Sequence, residues 1–130
     1  MSRVAPSAPV LVIEDDPDLR DALRELLSGE GYQVTTAADG REGLARMGAP
    51  PRPGVILLDL MLPRMDGFEF RVRQLEDPEL AAIPVIVFSG GGDVEQKVAR
   101  LGVVASLMKP LDFEALLDCV ARCLPPELGA

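Results

Sequence analysis

Short runs of consecutive apolar residues alternate along the chain with segments whose apolar residues recur every three or four positions. Unbroken apolar runs are typical of strands buried on both faces of a sheet, and the wider spacing is typical of helices that bury one side. The runs predict five strands, at 9–13, 32–37, 55–58, 84–88 and 103–108, the last interrupted at Ala105 and Ser106. The other segments predict five helices, at about 17–27, 40–48, 68–75, 94–101 and 113–124.

Aspartates stand where most of the predicted helices begin. Asp16 precedes Pro17, which combines a side chain suited to capping a helix with a residue favoured at the first helical position. Further aspartates precede the second, fourth and fifth predicted helices, at Asp39, Asp93 and Asp112. The alternation of strands and helices predicts an α/β fold, in which a parallel sheet is covered by helices on both faces.

The length of 130 residues fits one domain of ordinary size. We expect a flexible arm at 1–8, where Pro, Ala and Ser are frequent, one domain at 9–125 and a tail at 126–130. No stretch approaches the roughly 18 consecutive apolar residues of a membrane span, and the N-terminus lacks the apolar segment of a signal peptide. These features predict a cytoplasmic protein with no membrane partner.

The charge balance and two residue counts exclude several functions. There are 21 acidic and 13 basic residues, and the resulting net charge of −8 argues against nucleic acid as a direct partner. The chain contains no histidine, which excludes Ser-His-Asp and Cys-His catalysis, histidine metal ligands and a phosphohistidine on this chain. Two cysteines are too few for a disulfide scaffold and suit a reducing compartment.

Polar side chains follow four of the predicted strands, at the point where each strand ends. The acidic run 14–16 follows the first strand, and Asp59, Ser89 and Lys109 follow or end the third, fourth and fifth. Ligands of parallel α/β sheets bind at the carboxyl ends of the strands, so we expect these groups to lie together. Clustered carboxylates with no histidine nearby suit a hard cation such as Mg²⁺.

A carboxylate beside such a cation can attack phosphorus and form an aspartyl-phosphate. The negative oxygens of the phosphoryl group then need neutralisation. The metal can cover one oxygen, the Lys109 ammonium a second, and the Ser89 hydroxyl can donate to a third. The strand ends therefore predict phosphoryl transfer to a carboxylate.

Four segments carry a resemblance to a known family. They are VLVIEDDPDLR, VILLDLMLPRMDG, PVIVFSG and LMKPLDF, which occur in this order at suitable spacing. Over residues 10–124 the chain resembles the receiver domain of bacterial two-component response regulators, of the stand-alone, CheY-like kind. The resemblance implies a (βα)5 doubly wound, parallel five-stranded sheet of the flavodoxin-like order 2-1-3-4-5.

The resemblance also implies roles for individual residues. Asp59 would accept a phosphoryl group from a sensor histidine kinase or a histidine phosphotransfer protein, with Ser89 as the switch hydroxyl and Lys109 as the phosphate-pairing lysine. The cofactor would be Mg²⁺, held by the acidic pair Glu14 and Asp15, by Asp59 and by the backbone carbonyl of Met61. Of the carboxylates, Asp15 and Asp59 would bind it directly. The Lys109–Pro110 bond is expected to be cis, and Asp66 is expected to have a structural role in a turn.

Three departures from the family pattern affect the expected output. Ser106 stands where the family usually has a switch aromatic, three residues before the lysine. The stretch from Ser89 to Lys109 is about two residues short and begins with Gly90–Gly92, so we hypothesise that phosphorylation orders this loop. Met61 and Gly91 occupy the two positions that tune hydrolysis in the family, and neither can orient a water molecule.

The expected function is that of a non-enzymatic, single-domain response regulator in a phosphorelay signal-transduction system. Its output would be docking on an unidentified target protein. A phosphorelay shuttle that passes the group on, and a degenerate receiver that acts without phosphorylation, are alternatives. A haloacid-dehalogenase-type phosphatase requires a second acidic residue two positions after the acceptor Asp59, and Met61 occupies that position, which argues against this class. A flavodoxin-like electron carrier requires a phosphate-binding loop after the first strand, where the acidic run 14–16 would instead repel the flavin phosphate.

Overall fold

Residues 8–62, 65–89 and 102–124 are described in the computed structural model. They contain five strands: β1 (Val10–Ile13), β2 (Val34–Ala37), β3 (Val55–Asp59), β4 (Val85–Ser89) and β5 (Ala105–Met108). The strands form one sheet in the order β2-β1-β3-β4-β5, and every neighbouring pair is parallel. This is the predicted α/β architecture with the flavodoxin-like strand order.

The described helices are α1 (Pro17–Gly29), α2 (Gly40–Gly48), α3 (Gly67–Leu75), α4 (Pro78–Ala81) and α5 (Phe113–Cys123). An aspartate caps the start of each one and accepts a hydrogen bond from a backbone N–H of the first turn. The predicted caps Asp16, Asp39 and Asp112 are confirmed. None of the helices in the described ranges has the length and apolar character needed to cross a bilayer.

Helices cover both faces of the sheet and create two apolar cores. Leu11 and Ile13 of β1 face one core, to which α2 contributes Met47 and α3 contributes Phe70. The alternate residues of β1 face the other core, which α1 and α5 complete. Every residue of β1, β3 and β4 is buried, as expected for the unbroken apolar runs of central parallel strands.

Strand β2 begins at Val34, two residues later than predicted, and the structure differs from the sequence-based expectation at two further elements. The fifth strand begins at Ala105, where an interruption was predicted, because β5 is an edge strand whose residues alternate between exposed and half-buried sides. Helix α4 was not predicted. Asp77 and Pro78 follow the end of α3, where Asp77 caps a further helical turn and Pro78 is its first residue.

Some predicted segments lie outside the described residues. These are the helix at 94–101, the glycine loop at 90–92, the tail at 126–130 and all of the arm except Ala8.

Two buried polar side chains connect α3 to the amino edge of the sheet. The Gln74 amide donates to the backbone carbonyls of Leu80 and Ile83, at 2.8 and 3.0 Å, in the connection before β4. Arg71 donates to Gln74 Oε1 at 2.6 Å and to the Gly102 carbonyl at 3.2 Å, just before β5. The two side chains therefore hold both incoming connections against α3.

Candidate phosphoacceptor and metal site

The carboxyl ends of β1, β3, β4 and β5 bring the predicted site residues to one edge of the sheet. Ile13 pairs with Leu58, so the next residues, Glu14 and Asp59, are neighbours across β1 and β3. Ser89 pairs with Met108, which places Lys109 directly beyond the end of β4. The strand register thus explains why residues far apart in sequence meet.

Three carboxylates of this edge lie close enough to share one cation. Oxygen atoms of Glu14, Asp15 and Asp59 all lie within 4.8 Å of one another. Glu14 is 0% exposed and Asp59 is 1% exposed, while Asp15 is exposed to solvent. Two buried carboxylates in one cluster repel each other and need a compensating positive charge.

Glu14 is held at one oxygen and left open at the other. Its Oε2 accepts a hydrogen bond from the Asp16 N–H at 3.0 Å. Its Oε1 is buried and has no hydrogen-bond partner among the described residues, although Lys109 Nζ lies 3.2 Å away in an ion pair. The pKa of Glu14 is raised to about 7, chiefly by burial; the Asp16 N–H acts to lower this pKa, and the charge of Asp59 acts to raise it.

Asp59 is oriented by two donors. Its Oδ1 accepts from the Met61 N–H at 2.8 Å, and its Oδ2 accepts from Lys109 Nζ at 3.0 Å. Burial by itself lowers the pKa of Lys109, but the hydrogen bond and charge of Asp59, with Glu14, outweigh burial and raise the pKa. Lys109 is therefore a charged ammonium that bridges both buried carboxylates.

Ser89 and Met61 complete the set of predicted site residues. Ser89 is buried at the end of β4, and its backbone carbonyl accepts from the Lys109 N–H at 3.0 Å. Met61 is 65% exposed, and its backbone N–H donates to Asp59. The Lys109–Pro110 bond is cis, as expected. The departure at Ser106 is an exposed residue in the middle of β5.

The donor set fits a hard divalent cation. It offers three carboxylates within one cluster, and one buried oxygen, Glu14 Oε1, has no hydrogen bond within the part of the chain that the structure describes. All-oxygen sites of this kind suit Mg²⁺, which keeps some of its water. In the structure the Lys109 ammonium supplies the positive charge between Glu14 and Asp59.

The close packing of Gly67 against the end of β3 is a feature of the site that was not predicted from the sequence. A Cβ at this position would lie 2.7 Å from Leu60 Cα and 2.9 Å from the Asp59 carbonyl oxygen, which is closer than real Cβ atoms come. The Gly67 N–H donates to the Leu60 carbonyl at 3.2 Å. The start of α3 therefore packs directly on the strand end that carries Asp59. The sequence feature that could have indicated this packing is the Asp66-Gly67 pair, a helix cap followed by a glycine.

Asp66 caps α3, because its Oδ1 accepts from the Glu69 N–H at 2.9 Å. We expect Asp66→Ala to lower the free energy of unfolding by about 1 kcal/mol, as loss of a helix cap does. Chemical denaturation measures this loss, and Asp66→Asn should retain most of the stability. Because Asp66 is a cap, Asp66→Ala should still take up a phosphoryl group, and loss of uptake in a folded variant would contradict the structural role.

Comparisons with known proteins identify the class. The family model described as "Response regulator receiver domain" matches residues 10–121. The chain belongs to the response regulator receiver domain family. Receiver domains are signalling modules of two-component phosphorelay systems, which are phosphorylated on an aspartate, bind Mg²⁺ through acidic residues and interact with histidine kinases or phosphotransfer proteins.

Solved structures give the same fold. The response regulator receiver protein from Pseudomonas putida superimposes with a TM-score of 0.84 at 33% identity, over 92% of this chain and 99% of that one. The chemotaxis protein CheY4 of Vibrio cholerae superimposes with a TM-score of 0.81 at 33% identity, over 91% and 99% of the two chains.

Similar curated proteins differ in how much of their length the chain spans. The C4-dicarboxylate transport transcriptional regulatory protein DctD of Pseudomonas aeruginosa is 41% identical over 95% of this chain, which spans 27% of that protein. The response regulator MprA of Mycolicibacterium vanbaalenii is 41% identical over 93% of this chain, which spans 53% of it. Sporulation initiation phosphotransferase F of Bacillus subtilis is 32% identical over 89% of this chain, which spans 93% of it.

Proposed function

We propose that the protein is a response regulator receiver that accepts a phosphoryl group on Asp59, with Mg²⁺ bound at Glu14, Asp15, Asp59 and the Met61 carbonyl. The observation that carries the proposal is the environment of Asp59. Its carboxylate is buried, hydrogen-bonded to Lys109 and clustered with two further carboxylates. The donor is a histidine kinase or a histidine phosphotransfer protein.

The reaction transfers one phosphoryl group. A carboxylate oxygen of Asp59 forms a bond to phosphorus while the bond from phosphorus to the donor nitrogen breaks, and the donor imidazole keeps the electron pair of that bond. Bound Mg²⁺ would supply positive charge for the phosphoryl oxygens. Lys109 remains as a second positive charge, and the Ser89 hydroxyl is a hydrogen-bond donor for the product. Strand register presets these positions, so little reorganisation is needed.

Intact mass after incubation with Mg²⁺ and acetyl phosphate tests the proposal. The wild-type chain should gain one phosphoryl group, about 80 Da, and Asp59→Asn should gain none, because its amide cannot serve as the nucleophile. Asp66→Asn provides a matched control on a nearby loop aspartate and should gain the group. A gain that persists in Asp59→Asn would refute Asp59 as acceptor. If the wild type gains nothing from acetyl phosphate or from a phosphorylated histidine donor, phosphoryl acceptance itself is wrong.

The phosphoryl group should hydrolyse slowly. The exposed Met61 side chain carries neither charge nor a strong hydrogen-bond donor with which to orient an attacking water. We expect a lifetime of minutes or longer, and we expect Met61→Asn to shorten it about tenfold by adding an amide that can position water. The loss of mass with time after donor removal measures both rates. A wild-type lifetime of seconds would contradict this prediction.

The output of the phosphorylated form is either docking on a target protein or onward transfer of the phosphoryl group. The net charge of the chain, −8, suits a protein partner with a basic surface. Onward transfer gains support from the relative named Sporulation initiation phosphotransferase F, most of whose length the chain spans. We place both activities in the cytoplasm, because the two free cysteines suit a reducing compartment.

A further inference from the structure

Arg20 lies on the first turns of α1 and reaches back to the acidic segment that follows β1. Its Nη1 donates to the Glu14 carbonyl at 3.0 Å and lies 3.5 Å from the Asp15 carbonyl. Within the described residues Arg20 forms no ion pair, although acidic side chains surround it in sequence. The guanidinium therefore binds the backbone of this segment rather than its carboxylates.

The contact matters because Glu14 lies just beyond the last paired residue of β1. The Glu14 N–H still donates to the Ala37 carbonyl at 3.0 Å, but its carbonyl is at the end of the strand ladder. A backbone carbonyl in this position needs a donor, and Arg20 provides one. The Glu14 side chain is fixed in turn by the Asp16 N–H. Arg20, Ala37 and Asp16 thus hold three different groups of Glu14.

We propose that Arg20 is a positioning residue, which holds the Glu14–Asp15 backbone so that both carboxylates face the cation site. The inference rests on the proposed function, since it assigns Arg20 a part in Mg²⁺ binding. Charge alone predicts the opposite effect. A guanidinium beside the site repels a divalent cation, so its removal should tighten Mg²⁺ binding if the backbone contacts contribute nothing.

Four forms of the protein distinguish backbone positioning by Arg20 from simple charge repulsion of the cation. They are wild type, Arg20→Ala, Arg20→Lys and Arg24→Ala. Arg24 is a matched control on the same helix, where it forms an exposed ion pair with Asp21 and, among the described residues, has no hydrogen bond to the acidic segment. Calorimetry measures Mg²⁺ affinity. The rate at which the Asp16 amide hydrogen exchanges with solvent is measured by NMR in metal-free buffer. This rate reports whether the Glu14 carboxylate is held by the Asp16 N–H. Circular dichroism and unfolding midpoints check that all four chains fold.

We expect Arg20→Ala to weaken Mg²⁺ binding about tenfold and to speed exchange of the Asp16 amide by a similar factor. Arg20→Lys should recover part of both effects, and Arg24→Ala should stay within about twofold of wild type. Mg²⁺ affinity that is unchanged or tighter in Arg20→Ala overturns the proposal, as does unchanged exchange of the Asp16 amide. A wild-type chain that binds no Mg²⁺ contradicts the proposed metal site instead, and the exchange rates then decide alone whether Arg20 holds the segment.

Discussion

Replacing Lys109 with Met is expected to lower the free energy of unfolding by about 2 kcal/mol in metal-free buffer. The substitution keeps most of the aliphatic stem and removes the ammonium group, which lies between Glu14 and Asp59 with Nζ 5.5 Å from the centre of the Phe88 ring. Loss of one partner from a fully buried pair costs about 3–5 kcal/mol. We expect less here, because 30% of the Lys109 side chain is exposed.

Bound Mg²⁺ should reverse much of this loss. With Lys109 absent, the cation supplies the charge that the two carboxylates lack, and a ligand at about 100 times its Kd stabilises a fold by about 2.7 kcal/mol. At equal concentration Mg²⁺ should therefore stabilise Lys109→Met more than wild type. Urea unfolding with and without Mg²⁺ measures both effects.

Two further variants control this experiment. Arg52→Met removes an exposed ion pair to Glu79 and should cost less than about 0.5 kcal/mol. Glu14→Gln combined with Lys109→Met should be more stable than Lys109→Met alone, because one of the two repelling carboxylates is gone. If Lys109→Met is as stable as wild type without metal, the Lys109 ammonium does not offset the buried charge, and the prediction is wrong.

Replacing Gly67 with Ala is expected to cost about 3 kcal/mol of stability, at the upper end for overpacking a buried site. The added Cβ would meet Leu60 Cα and the Asp59 carbonyl, which are backbone atoms that cannot rotate away. Because those atoms belong to the strand end that carries the acceptor, relief of the clash must shift Asp59 or α3. Phosphoryl uptake should therefore slow about tenfold or more, since catalytic geometry tolerates little displacement.

Gly48→Ala is the matched control for Gly67→Ala. Gly48 also belongs to a helix, but a Cβ there would meet nothing within 4 Å. This variant should be as stable as wild type or more stable by about 0.5 kcal/mol, and its phosphoryl uptake should be unchanged. Urea denaturation and the rate of mass gain test both variants. Equal stability of Gly67→Ala and Gly48→Ala would show that the close approach does not constrain the site.

The fold was predictable because its central strands are unusual in sequence. Buried parallel strands such as β1 and β3 appear as unbroken apolar runs, and aspartates mark the helix starts. Elements at the edge of the sheet give weaker signals. The start of β5 was misplaced because residues on an edge strand alternate in exposure, and α4 is a single turn with no buried residue to create a pattern.

The members of the site were predictable in identity but not in their contacts. Glu14, Asp59 and Lys109 all stand at strand ends, so the topology alone brings them together. Nothing in the sequence shows that one Glu14 oxygen lacks a hydrogen bond, or that Arg20 binds carbonyls instead of carboxylates. Such details depend on the directions of individual atoms, which residue spacing does not determine.

The buried pair Arg71 and Gln74 has a consequence for how the chain can vary in length. Their hydrogen bonds to the carbonyls of Leu80, Ile83 and Gly102 require fixed distances between α3 and the connections that enter β4 and β5. An insertion between Leu75 and Val85 would displace the Leu80 and Ile83 carbonyls and leave the buried Gln74 amide unsatisfied. Length variation and domain insertion should therefore be tolerated poorly at this end of the sheet, even in connections that lie near the surface.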